Sequence, residues 1–231
     1  MHIASTNARF ERAALKQPFG FKGGYVTELW QSEVQLTDAG GQKSTGYGTQ
    51  SVLWSDARVF AGHSEAGGNA LMFALTDYAL TLLQGQTFAD PFALFDTLFE
   101  PVHRYACSLT RRPDLRTTFT LNALVAVDFA AWGLYVRLHG IDRFDTLLPA
   151  FSRPALAAHN PRVAVVPIVT YSTTDADIEA MLEEGFFVFK IKLGAPGSQA
   201  EMLANDCDRL SRLHRLLGPR ETPHTPNGRI P

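Results

Sequence analysis

Cysteine is scarce in this sequence, and signals for secretion or membrane insertion are missing. Among 231 residues there are two cysteines, Cys107 and Cys207. They give neither a disulfide framework nor the ligand spacing of a metal site. No apolar run approaches the length of a membrane span, and the N-terminus lacks the basic-then-apolar pattern of a secretory signal. These absences predict a cytoplasmic protein.

Charge of either sign is not in excess. The formal net charge is -2, and the sequence has no basic stripe. We therefore expect neither nucleic acid nor an anionic membrane as a partner. With 45% hydrophobic and 19% charged residues, the composition is that of a soluble globular protein with one large domain or two small ones.

Lysine is the scarcest charged residue, and its placement is unusual. The chain has five lysines, and two of them, Lys190 and Lys192, stand one residue apart in an apolar run that ends at Gly194. In a β-strand the two lysines share one face with Val188, while the other face carries Phe187, Phe189, Ile191 and Leu193. A solvated strand end is the common explanation of such a pair. The apolar strand and the scarcity of lysine favour a functional one.

The first 140 residues predict strands followed by helices. β-forming segments at 2–15, 25–37 and 43–47 predict a three-stranded antiparallel meander. Residues 16–24 predict a loop with glycines and aromatics, either a substrate lid or an ordinary connection packed down by Phe19 and Phe21. After an irregular stretch at 47–62, apolar periodicity predicts helices from Ser64 to Gly85, from Asp90 to Cys107 and from Thr120 to Leu138. The last is apolar nearly all round, and we interpret its Asp128 as a structural carboxylate.

The remaining residues predict a change of architecture. A proline-containing linker at 145–161 precedes an apolar strand at 163–170, of the kind covered on both faces. A helix capped by Thr174 or Asp175 leads to the lysine strand, and a second helix spans residues 198–217. This order predicts a right-handed βαβ unit that opens a barrel or a doubly wound sheet, followed by a tail at 220–231 that is loop or disorder.

Three segments carry a resemblance to a known family. They are Phe-Lys-Ile-Lys-Leu-Gly at 189–194, Glu-Glu-Gly-Phe at 183–186, and the helix segment from Asn122 to Gly133. In order and spacing they resemble the enolase superfamily, in the branch of mandelate racemase and muconate lactonizing enzyme. The resemblance implies an α+β N-terminal capping domain at 1–145, with the three-stranded antiparallel meander and helices. The linker and first two βα units of a TIM-type (β/α) barrel follow at 146–231, and the barrel is incomplete in this chain.

The same resemblance implies a chemistry. Lys192 would take the proton α to a substrate carboxylate, Lys190 would assist beside that carboxylate, and Mg²⁺ would stabilise the enediolate. Because the family's metal ligands lie on the third to fifth barrel strands, no residue of this chain is assigned as a metal ligand. We therefore expect a partial chain that is inactive alone, with its exposed edges covered by missing barrel or by a homo-oligomer partner.

The lysine pair also has a physical argument. An unperturbed lysine, with a pKa near 10.4, is the wrong base at neutral pH. Partial burial, a second ammonium group and a nearby metal cation all lower a lysine pKa. We therefore expect Lys190 to tune Lys192.

Substrate identity stays open. By resemblance, residues 16–24 and about 48–60 close over the barrel mouth, so that Lys22, Tyr25 and Trp54 are candidate contacts to a small carboxylic acid. Racemisation, epimerisation, cycloisomerisation and dehydration all suit a Lys-x-Lys pair, and sugar acids, amino-acid derivatives and aromatic hydroxy acids are all possible substrates. Two other classes remain: a barrel enzyme with a Schiff-base lysine, and a non-catalytic binding or structural homologue.

Overall fold

The chain forms two compact units. The structure, a computed structural model, describes residues 1–21, 24–147, 153–154, 158 and 160–230. The first unit is Met1–Leu156 and the second is Ala157–Pro231. Most of the linker predicted at 145–161 lies outside the described residues, and the domain boundary at residue 145 stays a prediction.

The first unit opens with the predicted meander. Strands β1 (Ile3–Phe21), β2 (Gly24–Asp38) and β3 (Lys43–Gln50) are antiparallel, in the order β1-β2-β3. Alternating β2 residues such as Val34 and Leu36 are fully buried, as expected when one face of a sheet meets a core. The meander is therefore the sheet of the capping fold.

The prediction of a loop at 16–24 is wrong. After a register shift between Ala14 and Phe19, β1 resumes pairing with β2, and Phe19 lies opposite Val26. The bulge absorbs the extra β1 residues, so the two strands continue as a hairpin to Phe21 and Gly24. Sequence periodicity cannot reveal such pairing, because it depends on the partner strand.

The prediction of irregular structure at 47–62 is also wrong. Strand β3 continues to Gln50, and helices α1 (Val52–Ser55) and α2 (Ala57–Leu83) follow. The buried side chain of Asp56 caps α2 by accepting a hydrogen bond from the backbone N–H of Arg58 at 2.9 Å. This cap lets the helix begin earlier than the apolar periodicity indicates.

Helix α2 is broken at the residue where the sequence predicts a start. Ser64 has φ 64° and ψ 175°, a conformation that serine rarely adopts. The carboxylate of the next residue, Glu65, accepts hydrogen bonds from the backbone N–H of Thr27 at 2.9 and 3.1 Å. Thr27 lies at the β1–β2 bulge, where Glu65 satisfies a donor that the ladder leaves unpaired.

Two long helices complete the first unit. Helix α3 (Pro91–Thr110) begins as predicted, with Asp90 accepting from the backbone N–H of Ala93, and a short helix α5 (Phe144–Leu147) follows α4 (Thr117–His139). Gly46 and Gly48 let β3 approach α4, since a Cβ on Gly46 would lie 2.2 Å from the carbonyl oxygen of Ala126. By length and composition α4 could cross a membrane. Half of its candidate span is buried inside the protein, so we interpret it as the predicted core helix.

The second unit contains the predicted βαβ arrangement. Strand β4 (Ile168–Val169), helix α6 (Asp175–Glu183), strand β5 (Lys190–Ile191) and helix α7 (Gln199–Leu217) follow in order, and β4 pairs with β5 in parallel. Both helices begin with a capping box, from Thr174 to Asp177 and from Ser198 to Glu201. This is the start of a (β/α) barrel, as the predicted fold class requires.

The first strand of the second unit differs from prediction. The strand expected at 163–170 is reduced to Ile168–Val169, and Val163 is 85% exposed, because the helices and tail pack on one face of the strands. The tail agrees with one of its two predicted alternatives, a loop: it consists of turns with an isolated β-bridge between Glu221 and Arg229, and Ile230 is buried in the small core of this unit.

Candidate active site at the lysine strand

The lysine strand has the two faces that its sequence predicts. Backbone N–H groups of Lys190 and Lys192 donate to the carbonyls of Pro167 and Val169 at 2.9 and 3.0 Å, which holds β5 beside β4. Phe187, Phe189 and Ile191 pack against the buried core of the second unit, whereas Leu193 departs from the pattern and is exposed. The lysines therefore alternate with the residues that face this core.

The two lysines differ in their surroundings. Lys190 is exposed and Lys192 is partly buried. Burial lowers the pKa of the Lys192 ammonium group, because a low-dielectric environment disfavours its charged form. This is the direction that a general base requires. The contribution expected from the charge of Lys190 stays a prediction.

A carboxylate on α7 holds the loops that follow both strands. Asp206 accepts hydrogen bonds from the backbone N–H groups of Gly194 at 2.8 Å and Ala195 at 3.4 Å, just after the lysine strand. The hydroxyl of Tyr171, just after β4, donates to the same carboxylate. The Tyr171 hydrogen bond is the main cause of the lowered pKa of Asp206, while burial and Asp206 raise the pKa of Tyr171 to about 12.

Arg209, about one turn further along α7, binds the end of β4 and the residues that follow it. Its Nη2 donates to the carbonyl oxygens of Val169, at 3.3 Å, and Thr170. Its guanidinium lies 4.5 Å from the ring centroid of Tyr171, within the range of a cation–π contact. The Val169 carbonyl thus accepts from both Arg209 and the backbone of Lys192.

Sequence reasoning missed this network because apolar spacing on α7, over Leu203, Cys207, Leu210, Leu213 and Leu217, predicts only the apolar part of the buried face. Leu213 and Leu217 are buried, but Leu203 is 64% exposed and Leu210 is 41% exposed. The buried face carries Asp206 and Arg209, each 9% exposed, followed by Leu213 and Leu217. The available signal was their helical spacing of 206, 209, 213 and 217, in which two charged residues extend a leucine stripe.

The candidate substrate contacts of the first unit remain untested. Tyr25 is exposed near the end of the β1–β2 hairpin, and Trp54 is exposed on α1. Lys22 lies outside the described residues. Their assignment as contacts stays a prediction.

The described residues do not fit a Mg²⁺ site. In the described part of the chain, no group of three or more His, Cys, Asp or Glu side chains could hold a metal ion. Two carboxylates, Asp96 and Asp128, line a cavity of about 270 Å³ between α3 and α4, whose other walls include Phe92 and Trp132. Burial raises the pKa of Asp128, which agrees with a structural carboxylate rather than a cation ligand.

Comparison with models of known families and with curated protein sequences gives no match. Solved structures do match. The L-talarate dehydratase from Polaromonas sp. JS666, complexed with Mg and L-glucarate, has a TM-score of 0.60 and 18% identity, over 94% of this chain and 52% of its own. The dipeptide epimerase from Enterococcus faecalis V583, complexed with Mg and L-Leu-L-Tyr, has a TM-score of 0.59 and 17% identity, over 94% and 51%.

A third neighbour, a racemase from Streptomyces coelicolor A3(2) with bound magnesium, has a TM-score of 0.58 and 18% identity, over 93% of this chain and 52% of its own. The chain thus spans about half the length of these proteins. At this level of identity the likeness concerns the fold. The chain therefore has the fold that these proteins share over a capping unit and the start of a barrel, which is the fold that the resemblance to the enolase superfamily predicts.

Proposed function

We propose that Lys192 is the base that removes the proton α to the carboxylate of a small carboxylic acid, in a racemase, epimerase, cycloisomerase or dehydratase. The observation that carries this proposal is the partly buried amine at the end of the second barrel strand. Side chains at the C-terminal ends of barrel strands line the active sites of this architecture. Burial shifts the pKa of Lys192 in the direction that frees the amine to accept a proton.

Lys190 has a separate role in this proposal. It is exposed on the same strand, so its ammonium group keeps full access to a ligand. A cationic side chain on the strand of the base suits the carboxylate of the substrate, which must be held while its α-proton leaves. In this proposal Lys190 binds the substrate carboxylate, and Lys192 removes the α-proton.

Substrate class and metal rest on the neighbours. Those neighbours are complexed with dipeptides, glucarate or mandelic acid, and each of these ligands carries a carboxylate. They also contain Mg, which supports Mg²⁺ as the cofactor of the proposed reaction. Because the described residues do not fit a Mg²⁺ site, no step is assigned to the metal here.

The test is exchange of the α-proton in D₂O, followed by ¹H NMR on the complete enzyme with Mg²⁺, because this chain is expected to be inactive alone. The panel holds an aldarate, a dipeptide and an aromatic hydroxy acid. Lys192→Ala and Lys192→Arg should each lower the exchange rate about 10²–10⁴-fold, because neither residue can act as a base at neutral pH. Lys43→Ala, at an exposed lysine of β3, is the matched control and should exchange at the parent rate.

Undiminished exchange in Lys192→Ala would refute the proposal. A partly buried lysine with a lowered pKa also suits a Schiff base with a carbonyl substrate. Borohydride trapping of a substrate adduct on Lys192, with activity that needs no divalent metal, would favour that second function.

A further inference from the structure

We propose that Asp206 is a positioning residue for Lys192, acting through a clamp formed by Tyr171, Asp206 and Arg209. The clamp joins the ends of β4 and β5 to α7 and thereby fixes where the Lys192 side chain leaves the strand. The inference rests on the proposed role of Lys192 as the base, and it assigns to α7 a part in the site that the lysine pair does not reveal.

The first argument is the number of backbone groups that the carboxylate holds. One side chain accepts from Gly194 and Ala195, which follow Lys192 by two and three residues. A short βα loop has few other ways to satisfy these N–H groups, and a charged acceptor binds them more strongly than a neutral one. The chain immediately after Lys192 is therefore fixed to helix α7.

The second argument is that the clamp also contacts β4, the strand to which the backbone of Lys192 is hydrogen-bonded. Arg209 donates to the carbonyl of Val169, and the backbone N–H of Lys192 donates to the same oxygen. The bond between β4 and Lys192 therefore shares its acceptor with the clamp. Movement of Arg209 would be transmitted to Lys192 through a single atom.

The third argument is burial. Asp206 and Arg209 are each 9% exposed, so both charges have lost most of their water. A buried carboxylate and a buried guanidinium are costly unless they are hydrogen-bonded, and here the bonds run to the loops: Asp206 accepts from Tyr171, Gly194 and Ala195, and Arg209 donates to Val169 and Thr170. Their retention on a face otherwise made of leucines is expected if they hold the loops in place.

Lysine scarcity makes a direct test simple. With lysine labelled at ¹³Cε, the 231-residue chain gives five side-chain signals, and the pKa of Lys192 is read without substrate. Asp206→Asn should loosen the loop, admit water to Lys192 and raise its pKa toward the ordinary value, since burial is the cause of the lowering. Amide exchange at Gly194 should accelerate at least about tenfold.

The sign of the pKa change separates positioning from a direct charge effect. Loss of a nearby negative charge would lower the pKa of Lys192, whereas loosening raises it. Asp208→Asn, at an exposed carboxylate two residues away on α7, is the matched control and should change neither quantity. In the D₂O assay, Asp206→Asn should move the rise of the rate to higher pH, because the base is neutral only above its pKa.

Tyr171→Phe keeps the test decisive if Asp206→Asn does not fold. It removes one hydrogen bond to Asp206 and leaves those of Gly194 and Ala195, so a smaller change in the same direction is expected. An unchanged or lowered Lys192 pKa in a folded variant, or Gly194 exchange at the parent rate, would overturn the proposal. A failed D₂O assay with these NMR results intact would refute the proposed function alone.

Discussion

The two units of the chain hold their structure by different means. In the first, helices α2 and α4 pack on a three-stranded sheet and α3 packs on those two helices, and 24 buried residues of the described part form one apolar cluster. In the second, the corresponding cluster has five buried residues among those that the structure describes, and the paired part of each strand is two residues long. Buried apolar area dominates the first unit. Hydrogen bonds from capping boxes and the Asp206 clamp bear a larger share in the second.

The unit with the larger apolar core is therefore not the unit that carries the candidate base. The first unit has Gly46 and Gly48 packed against the backbone of α4 and its helices fixed by buried contacts, whereas the second carries the candidate base. A site on a small core depends on a few polar contacts to keep its geometry. We therefore expect the first unit to respond mainly to changes of volume and the second to the loss of single side chains.

The largest effect is expected at the closest approach of sheet and helix. Gly46→Ala should destabilise the first unit by about 3 kcal/mol or more, because its Cβ would meet the carbonyl oxygen of Ala126 at 2.2 Å and the nitrogen of Ala130 at 2.3 Å. Backbone atoms cannot rotate away. Urea unfolding by tryptophan fluorescence measures it, since all three tryptophans, at positions 30, 54 and 132, lie in the first unit.

Gly67→Ala is the matched control within α2. A Cβ on Gly67 would find its nearest neighbours at 3.6 Å, an ordinary contact. Alanine is the better helix former, so this variant should be neutral or up to about 1 kcal/mol more stable. Equal destabilisation by both substitutions would show that the close approach of β3 to α4 at Gly46 does not explain the stability of the first unit.

The second effect concerns the small core. Leu213→Ala should cost about 2–3 kcal/mol, the range for a fully buried leucine, and should increase amide exchange throughout α7 (Gln199–Leu217). Leu210→Ala, at an exposed leucine on the same helix, should change exchange little. Equal effects of the two substitutions would show that α7 does not pack through the face that carries Asp206 and Arg209.

The third effect is electrostatic and belongs to the first unit. Burial tends to raise the pKa of Asp56, but hydrogen bonds from Arg58 and from the backbone N–H of Arg116 outweigh it and hold that pKa at about 2. The folded pKa lies below the ordinary 3.8, so Asp56 stabilises the fold fully above about pH 4, and the stabilisation is lost as pH falls toward 2. Its size is about 2 kcal/mol.

Urea midpoints between pH 2.5 and 7 measure this pH dependence. Asp56→Asn should remove that part of the dependence, while Asp77→Asn, at an exposed carboxylate of α2, should retain it. If Asp56→Asn keeps the full loss of stability at low pH, the contribution of Asp56 to the first unit is smaller than its contacts indicate.

Periodicity predicted the elements better than their limits. The meander, α3, α4 and the βαβ order follow from apolar spacing and from caps such as Asp90 and Thr174. Where a limit depends on a distant partner, periodicity failed. The extension of β1 depends on pairing across a bulge, and the early start of α2 depends on Asp56, whose carboxylate also accepts from the backbone of Arg116.

The candidate base, Lys192, could be found from the sequence, but the residues that hold its loop in place could not. Lys192 is conspicuous because lysine is scarce and the strand around it is apolar. Asp206 is one of many carboxylates, and its role appears only when the loops after β4 and β5 meet α7. Such contacts join residues that are 11 to 35 positions apart and leave no local pattern.

The contact that Glu65 makes next to the Ser64 break determines which sequence changes the β1–β2 hairpin can tolerate. Glu65 holds the β1–β2 hairpin mainly through backbone N–H groups, those of Thr27 and Glu28, and every amino acid except proline offers such a donor. The anchor therefore tolerates changes in composition and is sensitive to insertions and deletions. Residues beyond the bulge, including Tyr25, can be replaced without moving the anchor, which leaves the chemistry of this surface free to diverge.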